Sequence, residues 1–264
     1  MKKYLCVLRN TILEFLAYRL NFLLWRVRSV VSILITYFLW KSVFMTSGTV
    51  LGYSENRMLT YIIVMITLSS IVFSTQTQRV ASEINQGDLS NFLIRPINFF
   101  KFNLAREAAD KIVNCFFSLV ETFLLVLILK PSVIIQTDVN YLLFFLIAVI
   151  LSSILYFEIS MILSFIGFWS HEVWAPRFLF FILVSFLSGT YFPLDIFPNI
   201  IYNFLKLLPF TYLIFFPLKI YLGEVNFWQL WYGFFTTMFW IIYLLIFMVF
   251  LWKKGLKAYT SEGR

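Results

Sequence analysis

Six apolar runs, at about 27–45, 58–75, 103–129, 141–168, 178–191 and 227–252, constrain this chain more than any other feature. A bilayer core about 30 Å thick takes about 20 apolar residues per helix, and only structures that satisfy their own backbone hydrogen bonds cross it. Charged residues make up 13% of the sequence, against about 25% in soluble domains. The runs therefore imply an all-α integral membrane protein with six transmembrane helices. The polar segments between them, about 20–30 residues at most, are too short for a second domain, so residues 1–264 read as one transmembrane domain.

The N-terminus opens on Lys2 and Lys3 as a secretory signal does. Arg9, Glu14, Arg19, Arg26 and Arg28 break the apolar core such a signal needs, so no cleavage is expected. At helical spacing Leu5, Leu8, Ile12 and Phe15 share one side, and Lys3, Asn10, Glu14 and Asn21 the other. Residues 1–26 thus read as an amphipathic helix lying on the membrane, with Arg19 snorkelling from its apolar side. A short loop with Gly48 and Gly52 follows the first run. The second run is rich in hydroxyl residues (Thr67, Ser69, Ser70, Ser74), which suits close helix packing. Residues 103–111 are polar enough to be the wet first turns of the third helix.

The longest polar interruption between two runs is Arg79 to Lys101. Val80 and Ile84 share one face of a short helix. Gly87 stops it, and Asp88 is a good N-cap for a second turn carrying Leu89, Phe92 and Leu93 before Arg95-Pro96 ends it. Two readings stay open for this segment: a docking element, or a membrane-surface loop without a partner. Residues 169–177, with tryptophans at an interface level, read as a turn or a second, smaller docking surface. The run at 178–191 rises only about 21 Å, and the apolar sequence after it is broken by Pro193, Pro198, Pro209 and Pro217. Residues 189–223 therefore read as a re-entrant segment and not a seventh span. They are expected to form an external gate around Gly189, Phe192, Pro193, Pro209 and Phe210.

Sixteen of the 21 Lys and Arg residues fall on the side of 1–28, 79–111, 177 and 253–264, and five on the other. The positive-inside rule makes the richer side cytoplasmic. Both termini and the 79–101 segment then face the cytoplasm, and 189–223 faces outward. The net charge of +8 reads as topology information between spans and not as a nucleic-acid surface.

Catalytic chemistry finds no footing. There is no Gly-x4-Gly-Lys-Ser/Thr phosphate loop, His171 is the single histidine, and Cys6 and Cys115 stand far apart. Neither an enzyme, nor a metal site, nor a cofactor in this chain is expected. Glu121 and Glu158 lie within runs, where each carboxylate costs about 2.5–3.5 kcal/mol at the bilayer centre. They read either as part of a substrate or proton path, or as carboxyls hydrogen-bonded to a neighbouring helix.

Glu83, Gly87, Leu89, Leu93, Arg95 and Pro96 resemble the E-x3-G-x-L-x3-L-x-R-P segment of ABC-2 type transporter permeases. In that family the segment is the coupling helix that sits on the ATPase subunit, and an amphipathic helix precedes the first span. Gly189 to Pro193, then Pro198, Leu208-Pro209-Phe210, Pro217 and Gly223, look like the family's segment between its fifth and sixth helices. The resemblance implies the permease subunit of an ATP-driven exporter in the cytoplasmic (inner) membrane, for a lipid, drug, peptide or glycan-like cargo. It further implies a homodimer or heterodimer with a second permease, membrane lipids around it, and a separate ABC ATPase holding ATP and Mg. Glu83, Gly87, Asp88, Leu89, Leu93, Arg95 and Pro96 would be the ATPase-coupling residues. A secondary transporter or channel without an ATPase is the alternative. It predicts broken helices in both halves, whereas only 193–217 is broken. A membrane scaffold for another enzyme is a third reading.

Overall fold

The computed structural model describes residues 2–46, 49–50 and 52–259. Gly48 of the first loop and Arg264 of the basic tail lie outside them. The described residues are almost entirely helical: α1 (Lys2–Ala17), α2 (Arg19–Thr46), α3 (Glu55–Val72), α4 (Gln78–Asn85), α5 (Leu89–Leu93), α6 (Phe99–Leu129), α7 (Val139–Ser164), α8 (Trp174–Leu187), α9 (Asn199–Leu205), α10 (Phe215–Tyr221) and α11 (Phe227–Ala258). A two-residue hairpin, β1 (Thr49–Val50) and β2 (Tyr53–Ser54), joins α2 to α3.

Five of these helices, α2, α3, α6, α7 and α11, are long and apolar enough to cross a membrane. A sixth crossing is counted if α9 and the helical stretch Pro209–Tyr221, bent by 78° at their junction, form one broken span. The run at 178–191 is α8, which has only 14 residues and starts four residues earlier than its apolar stretch. The long helices start where polar caps stand. Asn98 accepts from the Lys101 amide at 3.0 Å, Asp138 from that of Asn140 at 2.8 Å, and Asn226 and Gln229 form a reciprocal capping box. α6 stops at Lys130, whose φ of 44° precedes Pro131.

The amphipathic pattern over 1–26 resolves into two elements broken at Tyr18, so Arg19, Arg26 and Arg28 belong to the first turns of α2. α1 packs lengthwise on α6, with Thr11 buried between them. Two cores organise the rest. The larger is built by α3, α7, α10 and α11, with Met58, Tyr61, Leu155 and Leu213 fully enclosed. The smaller closes the opposite end of the bundle from Val80, Ile84, Leu89, Phe99, Met161, Phe165, Phe168 and Trp252. Trp252 stacks on Phe99 with ring centres 4.4 Å apart, so α11 and the start of α6 meet there.

Candidate functional site

The smaller core is the floor on which α4 and α5 sit. Val80, Ala81 and Ile84 point down from α4 and Leu89 from α5, all buried. Gly87 makes the break between the two helices at φ 80°, a left-handed backbone that costs an L-residue about 1–2 kcal/mol. Asp88 does not cap α5. Its backbone is helical (φ −66°, ψ −16°) and not extended as an N-cap requires, and its Oδ1 only meets Asn91 Nδ2 at 3.4 Å.

Glu83 is not free to meet a partner. Its Oε1 takes Arg106 Nη1 at 2.7 Å, both side chains being largely buried, and the guanidinium lies 4.4 Å from the Phe102 ring centre. The carboxylate thus ties α4 to α6. Three further attachments hold the segment. Arg79 pairs with Glu14 of α1 at 2.8 Å, Lys3 donates to the Pro96 carbonyl at 2.7 Å, and Asn85 donates to the His171 carbonyl at 2.9 Å. The Tyr259 hydroxyl bridges the break, donating to Gly87 O at 2.6 Å and accepting from Ser90 N at 3.1 Å. What remains outward is the tip of α5 and its exit: Leu93, Arg95 and Pro96 are exposed, and Ile94 is 82% exposed. Ile94, Tyr259 and Arg106 were not singled out by the sequence. An isoleucine set between Leu93 and Arg95 in a polar loop was the available signal for the first.

Beneath this end lies a polar network that corrects the picture of 103–111 as wet turns. Asn103, Glu107 and Asp110 are buried. Glu107 Oε2 accepts from Thr75 Oγ1 at 2.9 Å and from the Gln76 amide at 3.1 Å, and Asp110 accepts from Gln76 Nε2 at 2.7 Å. Lys111 donates to the Val72 carbonyl at 2.7 Å, closing the end of α3. Arg177, at the start of α8, reaches Ser160 O and Thr77 Oγ1, both at 3.0 Å. These groups fasten the chain entering α4 to three spans.

At the other end, Gly189 has φ 84°, its carbonyl accepts from Tyr61 at 2.6 Å, and a Cβ there would lie 2.9 Å from the Tyr61 hydroxyl oxygen. Pro193 leads into a 3-10 turn at Leu194–Ile196, and buried Pro209 opens another at Pro209–Tyr212. Phe192 packs edge-on to Phe186 and Phe197, whereas Phe210 packs on Phe180, so the two rings belong to separate contacts. Lys219 binds this end together. It pairs with Asp195 at 2.6 Å and with Glu224, and donates to the Tyr53 hydroxyl at 2.9 Å. Tyr53 itself donates to Asp195 at 2.8 Å. Burial, then the Asp195 charge, push the Tyr53 hydroxyl well above its usual range and keep it a donor. Lys219 and Glu224, charged residues in an apolar stretch, were the unused signal.

The two intramembrane acids part company. Glu121 forms an ion pair with Arg26 at 3.2 Å, and Arg26 also donates to Ser70 at 3.1 Å, tying α2, α3 and α6. Glu158 is buried in α7, and its Oε2 has no hydrogen-bond partner among the described residues.

A helical bundle with five or six membrane-length helices and a pair of short helices seated on one end defines a multi-pass membrane protein. The sequence profile of the ABC-2 family transporter proteins matches residues 30–263, and the chain belongs to that family. It is a transport permease of the ABC type. No curated protein matches it.

Proposed function

We propose that this chain is the transmembrane subunit of an ATP-driven exporter, working as a dimer with itself or a sister permease and driven by separate ATPase subunits that hold ATP and Mg. It would lie in the cytoplasmic membrane with both termini inside, the side on which 16 of its 21 Lys and Arg fall. The observation that carries this reading is the build of α4–α5: an exposed Leu93–Ile94–Arg95–Pro96 tip on a segment anchored below to α1, α6 and α11. A push at the tip is then delivered to three helices at once. In this reading Leu93, Ile94, Arg95 and Pro96 touch the ATPase, while Glu83, Gly87 and Leu89 transmit the movement. Asp88 lies at the exposed edge of the contact. At the far end, 189–223 would be a re-entrant gate whose pieces Lys219 holds together.

A photo-crosslinking residue at Ile94, in cells, tests this. Capture of an ABC ATPase is the expected product, and Gly87→Pro should insert normally yet uncouple hydrolysis from export. Crosslinks from Ile94 to lipid alone would overturn the docking role.

A further inference from the structure

An apolar groove opens between α1 and α6. It is lined by α1 (Ile12, Phe15, Leu16), by Phe22 of α2, and by Ile112, Val113, Phe116 and Phe117 of α6, with only apolar surface exposed in its wall. Leu16, Ile112 and Phe116 of its lining are each more than half exposed, and Leu5 of α1 and Leu20 of α2 are exposed as well. In a multi-pass membrane protein such a surface faces hydrocarbon. The acids near the groove are taken up by partners, Glu14 by Arg79 and Glu121 by Arg26. Arg19, Phe22 and Arg26 follow one another at i, i+3 and i+7 and so share a face of α2. Arg26 stands behind Phe22, its guanidinium 5.8 Å from the ring centre, and its charge is matched by Glu121. Arg19 sits two turns nearer the start of α2, exposed and without an ion pair among the described residues. Arg9, one turn before Ile12 on α1, is likewise exposed and unpaired.

We propose that this groove is a binding site for one anionic glycerophospholipid, an acyl chain lying along Phe15, Phe22 and Phe117 and the phosphate held by Arg19 and Arg9. The tail is placed by the apolar wall, and the headgroup by two uncompensated guanidiniums, Arg9 one turn before Ile12 and Arg19 one turn before Phe22. Lipid occupancy would set the angle between α1 and α6, and α1 is the helix that grips Arg79 and Pro96.

The test is native mass spectrometry of the purified full chain, given phosphatidylglycerol or phosphatidylcholine with identical acyl chains. The expected result is one retained phosphatidylglycerol, preferred over phosphatidylcholine by about fivefold for each arginine. Arg9→Gln with Arg19→Gln should abolish the preference and leave phosphatidylcholine retention unchanged. Ile112→Trp, at an exposed position where added bulk leaves the packing alone, should lower retention of both lipids. Equal retention of the two lipids by the parent protein would overturn the proposal, as would a preference that survives loss of both arginines. Unchanged lipid retention in Ile112→Trp with a weakened dimer would also overturn it and assign the groove to a second copy.

Discussion

The Tyr259 hydroxyl sits 2.6 Å from the Gly87 carbonyl, so the residue just past α11 closes the break between α4 and α5. Its second bond, from the Ser90 amide, gives the hydroxyl a donor and an acceptor role at once. Tyr259→Phe removes both and leaves the ring beside Phe168. The expected cost is about 1 kcal/mol, read as roughly fivefold faster hydrogen exchange at Ser90, with membrane insertion unchanged. Exchange at Ser90 equal to that of the parent protein would mean the bridge is not held in solution.

Glu83 and Arg106 should behave as one unit. Removing either partner strands the other in a largely buried place, a loss of about 3 kcal/mol. Glu83→Leu and Arg106→Leu each lower thermal stability, and the double variant recovers much of the loss in a mutant cycle. Strictly additive losses would contradict the pairing.

Gly87→Ala tests the backbone alone. With φ at 80°, the substitution costs about 1–2 kcal/mol although it adds only a methyl group. The strain should appear as early protease cleavage between Asn85 and Asn91. A cleavage pattern identical to the parent's would show that the break tolerates another conformation.

Lys219→Met removes the cation that Asp195 and Glu224 share, leaving Glu224 with Arg57 at 3.8 Å and Asp195 with the Tyr53 hydroxyl. Losing a charged partner at this partly buried place should cost about 1–3 kcal/mol, read as a lower melting temperature. Asp195→Asn in the same chain should recover part of the loss in a mutant cycle. Strictly additive losses would mean that Lys219 does not hold Asp195.

Sidedness is tested with single cysteines in a protein lacking Cys6 and Cys115. Positions Ser54 and Asn199 should react with an impermeant thiol reagent on intact cells, and position Asn85 only after permeabilisation. Labelling of position 85 from outside would reverse the orientation.

The coarse architecture was legible because hydrocarbon imposes its length and composition on each helix independently of its neighbours. The α4–α5 pair was legible too, since Val80, Ile84 and Gly87 act locally. What sequence spacing could not supply was partnership. Glu83 and Arg106 are 23 residues apart, and nothing in either says which carboxylate the guanidinium takes. The stretch 103–111 looks the same whether water or Gln76 satisfies Glu107 and Asp110. Asp88 has the right chemistry for a cap, but a cap is a backbone conformation, and the turn at Gly87 fixed a different one. Arg26 and Glu121 come from opposite ends of a long sequence interval and meet only when α2 lies beside α6.

The seat of α1 has a consequence for how the molecule is made. The helix leaves the ribosome before α6, on which it packs and which follows about 90–100 residues later. At about 5–20 residues per second, that is on the order of 5–20 s of waiting. A two-faced helix would survive the interval by resting on the bilayer surface, and its amphipathic pattern would then serve the nascent chain before it serves the finished bundle. Insertion of the third span would bring α1 onto protein, and lengthening the chain between them should prolong a vulnerable intermediate without altering the final structure.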